Sequence, residues 1–184
     1  MMTARLCQPQ VEQYLRDGVL FPLPALSPAE VASFRAAFEN LEARLGGKPK
    51  HRQLIQPHLC YRWAYDLATH PAILDVIEPV IGPDILVHST SLFPKYPHDD
   101  GHISWHQDAY YWGLSTPHLI SAWVALTNSD VENGCVRVVA GSHMSQVLPH
   151  ARSSTENSTR LSLEIAVAVD EAEAVAVELK AGQM

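Results

Sequence analysis

The sequence predicts an α+β protein, with helices in its N-terminal part followed by a jelly-roll-like β-sandwich. Two observations lead to this prediction. Before Gly82, apolar residues recur at spacings of three and four, which is the period of an α-helix. After Gly82, short runs of β-branched and apolar residues are separated by turn-forming Gly, Pro, Asn and Asp. Helices followed by many short strands are typical of the α+β class.

Two helices are predicted with defined ends. Ser27 and Glu30 form a capping-box pattern, with a proline at the first helical position between them. Gly46 is expected to end this helix. One face of it carries five apolar residues: Val31, Phe34, Phe38, Leu41 and Leu45. A second helix is predicted to start at Pro71 and to stop at Gly82, so the helical part covers about residues 1–82.

The remaining residues, about 83–184, are predicted to form the strands of a single domain that covers residues 1–184. Runs rich in β-branched and apolar residues define the predicted strands, and a polar segment at residues 142–160 is predicted to be a long loop. The predicted strands are residues 85–93, 103–110, 119–126, 135–139, 162–169 and 174–179.

Charge and cysteine content limit the function classes. Thirteen basic and twenty acidic residues give a formal charge of -7, which argues against a surface for nucleic acid or for an anionic membrane. A small-molecule substrate is therefore expected. The three cysteines are far apart and form no CxxC pair, which fits a reducing compartment and predicts a cytoplasmic protein. The N-terminus lacks a secretory signal, and no apolar run is long enough to cross a bilayer.

The segment from Ser104 to Trp112 carries the chemistry. If it is a strand, His106 and Asp108 project from the same face, because side chains two residues apart share a face. An imidazole and a carboxylate side by side are two arms of a metal chelate, and Fe(II) oxygenases favour two histidines and one carboxylate. Tyr110 would continue this face and Trp112 would lie near it, which predicts an aromatic substrate pocket beside the metal.

A His-x-Asp triplet alone is weak evidence, because short motifs recur by chance. The chain has a second copy, His98-Asp99-Asp100, in a loop bounded by Pro and Gly. We interpret that copy as solvated surface.

The neighbourhood of His106 resembles the phytanoyl-CoA dioxygenase family of Fe(II)- and 2-oxoglutarate-dependent oxygenases. The resemblance extends over residues 80–143 in both order and spacing. The matching elements are Ile81-Gly82-Pro83-Asp84, Ser104-Trp105-His106-Gln107-Asp108, Ala122-Trp123-Val124-Ala125-Leu126, Asn133-Gly134-Cys135 and Gly141-Ser142-His143.

The resemblance implies a double-stranded β-helix of the jelly-roll or cupin-like type, with dioxygen and 2-oxoglutarate as co-substrates. It implies that His106 and Asp108 are catalytic residues that bind Fe(II), and that Trp123 lies against 2-oxoglutarate. The halogenating relatives have Ala or Gly at the carboxylate position, so Asp108 favours hydroxylation.

One departure from the family is expected. Members carry a distal histidine on a late strand and then an arginine that pairs with the far carboxylate of 2-oxoglutarate, as a planar guanidinium does well. Neither residue has a counterpart after the strand predicted at residues 174–179, which indicates a C-terminally truncated chain. His143 and His150 are the nearest downstream histidines, and neither matches the distal ligand.

Three hypotheses remain open. The first is an Fe(II)- and 2-oxoglutarate-dependent dioxygenase, and the second is a catalytically inactive fragment or a jelly-roll binding module. Separately, His106 and Asp108 could form a structural hydrogen-bonded pair. A cupin-like enzyme that uses another metal and no oxo acid is the third hypothesis. The sequence predicts neither the substrate nor the oligomeric state.

Overall fold

A computed structural model describes residues 5–98, 101–115, 118–152 and 163–184. The α-helices of these residues, in chain order, are α1 (Gln8–Asp17), α2 (Pro28–Leu45), α3 (His51–Leu54), α4 (Arg62–Ala68), α5 (Pro71–Ile81) and α6 (Ala109–Trp112). Short 3-10 turns lie at Pro57–Leu59, Ser142–Met144 and Glu171–Glu173. The strands are β1 (Val136–Val139), β2 (His150–Arg152), β3 (Leu163–Ile165) and β4 (Ala174–Val177).

The predicted capping box at the start of α2 is confirmed. The amide of Glu30 donates to the Ser27 hydroxyl at 3.3 Å, and the Ser27 amide donates to the Glu30 carboxylate at 2.7 Å. Gly46 then ends the helix in the left-handed conformation, with φ of 77°. The helix predicted from Pro71 is also confirmed, as α5, and Gly82 follows its last residue. No specific helix was predicted at Gln8–Asp17, where α1 lies.

The described strands form two antiparallel pairs. In one, β1 lies beside β4, with Val136 opposite Val177. In the other, β2 lies beside β3, with His150 opposite Ile165. The strands predicted at residues 135–139 and 174–179 are therefore confirmed. The predicted strand at residues 162–169 is represented by Leu163–Ile165, with residue 162 outside the described residues, and β2 lies in the segment predicted to be a loop.

Three predicted strands are wrong. Residues 85–93 form no strand and contribute Ser91 to an isolated bridge with Ile55. Residues 103–110 form no strand either, and the segment ends in α6. Residues 119–126 lack a ladder, although the Ala125 amide donates to the Gln183 carbonyl at 2.9 Å. A strand exists only where a neighbouring backbone pairs with it, and β-branched composition alone does not supply that partner.

The final residues lie in the core. Leu23 and Met184 exchange two backbone hydrogen bonds, each of 2.9 Å, and Met184 is 8% exposed in a cluster with Ile73 and Val76. Leu179 belongs to a second cluster with Ala125. Segment 179–184 therefore joins both clusters. Among the described residues, no helix is both long and apolar enough to cross a bilayer.

Candidate metal centre

His106 and Asp108 lie side by side, as predicted, but not on a strand. Nε2 of His106 is 3.2 Å from Oδ1 of Asp108. The two residues occupy the turn before α6, and Asp108 immediately precedes the helix with φ of -54° and ψ of -39°. The Tyr110 amide donates to the Gln107 carbonyl at 3.0 Å and closes this turn. A turn, rather than the two-residue period of a strand, brings the imidazole and the carboxylate together.

The ring of His106 is oriented by its own backbone. Nδ1 lies 2.9 Å from the carbonyl oxygen of Ser104. Because a carbonyl only accepts, Nδ1 carries a proton and donates it to this bond. Nε2 therefore faces Asp108 and is the nitrogen available to a metal ion. Metal-binding histidines commonly fix their second ring nitrogen in this way.

Asp108 is held from a separate part of the chain. The Ser121 hydroxyl donates to Oδ2 of Asp108 at 2.9 Å, while Oδ1 faces His106. The carboxylate thus has one oxygen occupied by a hydrogen bond and the other directed at the imidazole. The Asp108 side chain remains partly exposed, so a small ligand could reach it.

The two side chains stabilise each other's charged form. Partial burial alone would lower the pKa of His106, but its hydrogen bonds to Asp108 and the Ser104 carbonyl, and the charge of Asp108, together raise that pKa. Partial burial alone would raise the pKa of Asp108, but hydrogen bonds from His106 and Ser121 and the charge of His106 together lower it. Each side chain therefore favours the charged form of the other.

Neighbouring elements hold the backbone around the pair. The Ile165 amide, on β3, donates to the Trp105 carbonyl at 2.8 Å. The Leu148 amide donates to the side-chain carbonyl of Gln107 at 2.7 Å. The guanidinium of Arg137 also lies over the Trp105 indole, with its Cζ 5.5 Å from the centre of the ring. The segment is fixed by contacts on both sides of His106.

The predicted aromatic residues lie in three different environments. Tyr110 stacks on His150, with ring centres 4.1 Å apart. Trp112 packs on His88 at 5.5 Å. Trp123 packs on Phe93 at 5.2 Å and against the cluster that contains Leu179, so it is at least a packing residue. The ring that meets His106 edge-on is that of Tyr111, at 6.1 Å.

Sequence reasoning did not predict the contacts that Tyr111, Ser121 and His150 make with the pair or with the residue between them. Tyr111 also donates its hydroxyl to the Leu163 carbonyl at 2.6 Å. Tyr111 lies in the motif segment itself, but a strand model directs it away from His106. Ser121 and His150 are distant in sequence, and nothing in the order of residues signals their contacts. His143, one of the two nearest downstream histidines, lies away from the pair, and its Nε2 is 3.0 Å from the Leu15 carbonyl oxygen.

The donor set of the pair fits a hard or borderline divalent ion. Two neighbouring ligands of an octahedral ion, each about 2.1 Å from it, are about 3 Å apart. The 3.2 Å between Nε2 and Oδ1 matches that spacing. Across residues 5–98, 101–115, 118–152 and 163–184, no three His, Cys, Asp or Glu side chains converge on one metal position. The described part of the chain therefore offers two candidate ligands, His106 and Asp108.

A cavity of about 350 Å³ lies between α2 and the start of α4. It is lined by residues that include Leu41, Arg44, Cys60, Arg62 and Trp63. None of its lining residues belongs to the predicted site, and Arg62 is already paired with Asp66 at 2.7 Å. We assign this cavity no part in the chemistry.

Comparison with known proteins agrees with the motif. The sequence profile of phytanoyl-CoA dioxygenase matches residues 14–184. An ectoine dioxygenase from Nocardia farcinica is 28% identical over 149 residues, which cover 73% of this chain and 50% of the relative. An L-proline trans-4-hydroxylase from Streptomyces griseoviridis is 28% identical over 159 residues, covering 79% of this chain and 59% of the relative.

A solved structure of a non-heme monooxygenase is also similar to this chain. The apo form of ThoJ, a non-heme monooxygenase, is 39% identical and superposes with a TM-score of 0.78, over 95% of this chain and 65% of that chain. The chain thus spans about half the length of the ectoine dioxygenase and about two thirds of ThoJ. With a profile match over nearly its whole length, this chain belongs to the phytanoyl-CoA dioxygenase family.

Proposed function

We propose that the whole protein is an Fe(II)- and 2-oxoglutarate-dependent dioxygenase that hydroxylates a small organic substrate. The observation that carries this proposal is the 3.2 Å approach of His106 Nε2 to Asp108 Oδ1, in an orientation suited to one metal ion. Because Nδ1 of His106 carries its proton, Nε2 is the atom whose lone pair can bind the metal ion. An imidazole and a carboxylate are two of the three ligands in the facial triad of non-haem iron oxygenases.

Family membership supports the choice of cofactors. ThoJ, described as a non-heme monooxygenase, has also been solved as a nickel complex, which is 34% identical to this chain with a TM-score of 0.70. The ectoine dioxygenase and the proline hydroxylase act, by their names, on small polar molecules. A small substrate also fits the negative charge of this chain, which disfavours a nucleic acid.

Each predicted site residue has a role in this proposal. His106 and Asp108 bind the metal, and Ser121 keeps the Asp108 carboxylate turned toward His106. Trp123 lines the 2-oxoglutarate site, while Tyr110 and Trp112 line the substrate pocket. When bound, iron and 2-oxoglutarate would supply the chemistry that places one atom of dioxygen in a substrate C–H bond, while 2-oxoglutarate becomes succinate and carbon dioxide. Asp108 occupies the position that a halide would need, so hydroxylation is the proposed outcome.

We also propose the fold of the whole domain and the cellular location of the protein. The two antiparallel pairs described here would belong to a double-stranded β-helix that forms a single domain with the N-terminal helices, in a cytoplasmic protein. The distal histidine and the arginine expected of the family are proposed to lie outside these 184 residues. Sequencing the gene beyond the codon for Met184 tests this: a frame that continues into a histidine and then an arginine agrees with it.

Turnover of 2-oxoglutarate by the natural-length protein tests the activity. Purified protein is supplied with Fe(II), 2-oxoglutarate and oxygen, and succinate is measured with a panel of small amino-acid-like substrates. We expect succinate formation that Asp108→Ala abolishes. Asp75→Ala, which changes an exposed carboxylate on α5, is the matched control and should leave turnover unchanged. Equal turnover by the Asp108→Ala variant would contradict the proposal.

The second candidate is a binding module without catalysis. One observation favours it: the described residues converge on two metal ligands and not on three. In that case His106 and Asp108 form a structural ion pair. A stop codon directly after Met184, together with equal Fe(II) binding by the unmodified chain and Asp108→Ala, would favour this candidate.

A further inference from the structure

His150 contacts the segment that carries the metal pair in two places. Its Nε2 lies 3.2 Å from the amide nitrogen of Gln107, the residue between His106 and Asp108. Its ring stacks on Tyr110, two residues after Asp108, with centroids 4.1 Å apart and an interplanar angle of 19°. One imidazole thus touches the chain both between the two ligands and directly after them.

The two ring nitrogens of His150 have defined roles. A backbone amide only donates, so Nε2 accepts the bond from Gln107. Nδ1 lies 2.8 Å from the Leu148 carbonyl, which only accepts, so Nδ1 carries the proton. His150 is therefore held as the neutral Nδ1–H tautomer by its two bonds.

The bond to Gln107 restrains the peptide plane that joins His106 to the next residue. The same loop restrains Gln107 again, because the Leu148 amide donates to its side chain at 2.7 Å. Rotation of this peptide would move the His106 ring relative to Asp108. His150 is also the first residue of β2, and the neighbouring strand β3 holds Trp105 through Ile165, so the support comes from a paired sheet.

We propose that His150 is a positioning residue for the metal pair. It fixes the Gln107 peptide by its Nε2 and the start of α6 by stacking, and so holds His106 Nε2 and Asp108 Oδ1 at ligand spacing. His150 does not contribute to metal coordination itself, because its Nε2 lone pair accepts the Gln107 amide. This inference rests on the proposed function, since it assumes that the pair binds a metal.

Three variants separate the parts of this role. His150→Phe keeps a ring that can stack on Tyr110 but removes both nitrogens. His150→Gln restores an acceptor that can reach the Gln107 amide. Tyr110→Leu removes the aromatic ring that stacks on His150. It tests the same role if His150→Phe does not fold. His51→Phe, at an exposed position at the start of α3, is the matched control.

Two measurements on the full chain are made for each variant. Nickel(II) affinity is measured by titration calorimetry, and exchange of the Gln107 amide proton is measured by NMR without metal. We expect His150→Phe to lower the nickel affinity roughly tenfold and to speed Gln107 exchange, as outer-shell losses do. His150→Gln should recover most of both, Tyr110→Leu should lower the affinity by a smaller factor, and His51→Phe should change neither.

The outcomes distinguish this inference from the proposed function. Unchanged nickel affinity in both His150→Phe and Tyr110→Leu would overturn the positioning role, as would His150→Gln binding no better than His150→Phe. The proposed metal pair itself fails on a different result, which is equal nickel affinity of the unmodified chain and the Asp108→Ala variant.

Discussion

Nε2 of His106 lies 3.2 Å from Oδ1 of Asp108, and the residue between them is bonded to a different part of the chain. Gln107 donates its amide to His150 and accepts the Leu148 amide with its side chain. The spacing of the pair therefore depends on contacts with Leu148 and with His150, the first residue of β2, and not on the pleat of a strand.

Ser121→Ala should weaken metal binding. The Ser121 hydroxyl donates to Oδ2 of Asp108 at 2.9 Å, and its loss frees the carboxylate to rotate away from His106. Removing one such hydrogen bond is expected to lower divalent-metal affinity roughly tenfold. Calorimetric titration with nickel(II) measures this. Ser33→Ala, on the exposed side of α2, should bind as the unmodified chain does, and an equal loss in both variants would contradict the role of Ser121.

Tyr111→Phe should reduce stability while leaving the ring beside His106. The Tyr111 hydroxyl donates to the Leu163 carbonyl at 2.6 Å and ties α6 to β3. Loss of this bond should lower the free energy of unfolding by about 1 kcal/mol. Urea denaturation provides the measurement, with Tyr65→Phe, at an exposed position on α4, as the control. A Tyr111→Phe variant as stable as the original would show that this contact is not formed in solution.

Gly182→Ala should be far more damaging than Gly46→Ala, although both glycines have positive φ. A Cβ at Gly182, where φ is 89°, would lie 2.6 Å from the Leu26 carbonyl oxygen and 3.2 Å from a Val31 methyl group. A Cβ at Gly46, where φ is 77°, would meet no atom within 4 Å. We expect a loss of about 1 kcal/mol at Gly46 and about 3 kcal/mol at Gly182. Equal losses in thermal or urea unfolding would contradict the packing of segment 179–184.

Acid should destabilise the N-terminal helices through Glu30. Hydrogen bonds from the Ser27 hydroxyl, the Ser27 amide and His70 lower the pKa of Glu30 from 4.5 to about 2. A carboxylate with a lowered pKa contributes stability above its unfolded pKa, and that contribution is lost as the pH falls. The loss attributable to Glu30 should therefore occur between pH 4.5 and about 2.

Glu30→Gln tests this, because the amide can still bond to Ser27 but does not ionise. The urea midpoint of this variant should depend less on pH in that range than the midpoint of the original chain. Glu39→Gln, an exposed change in the same helix, is the control and should keep the original pH dependence. Identical pH dependence in Glu30→Gln and the original chain would contradict the assignment.

The sequence predicted the elements whose ends are set by interactions between residues close together in the chain. The Ser27–Glu30 capping box and the glycine after Leu45 define α2 within the helix itself. Residues 85–93 and 119–126 have strand-like composition, but a ladder depends on a partner backbone that composition does not specify. Strands β1 and β4 pair across about 40 residues, and only their composition was visible in advance.

The sequence predicted that His106 and Asp108 lie side by side, but it did not predict how the fold brings them together. The His-x-Asp spacing correctly placed His106 beside Asp108, yet a turn before α6 produces that proximity. The predicted strand also placed the ring of Tyr110 beside the metal, whereas in the structure it is the ring of Tyr111 that meets His106 edge-on. Ser121 and His150 lie 13 and 43 residues from their partners, and only the folded chain shows that they meet.

Anomalous diffraction from crystals of this chain soaked in nickel(II) would show whether His106 and Asp108 bind a metal ion together. We expect a peak between His106 Nε2 and Asp108 Oδ1, at about 2.1 Å from each, because neighbouring ligands of a divalent ion have this geometry. The same soak of Asp108→Ala crystals should lose that peak. A His106–Asp108 pair that stays directly bonded, with nickel bound only at other histidines, would contradict the claim that this pair is a metal centre.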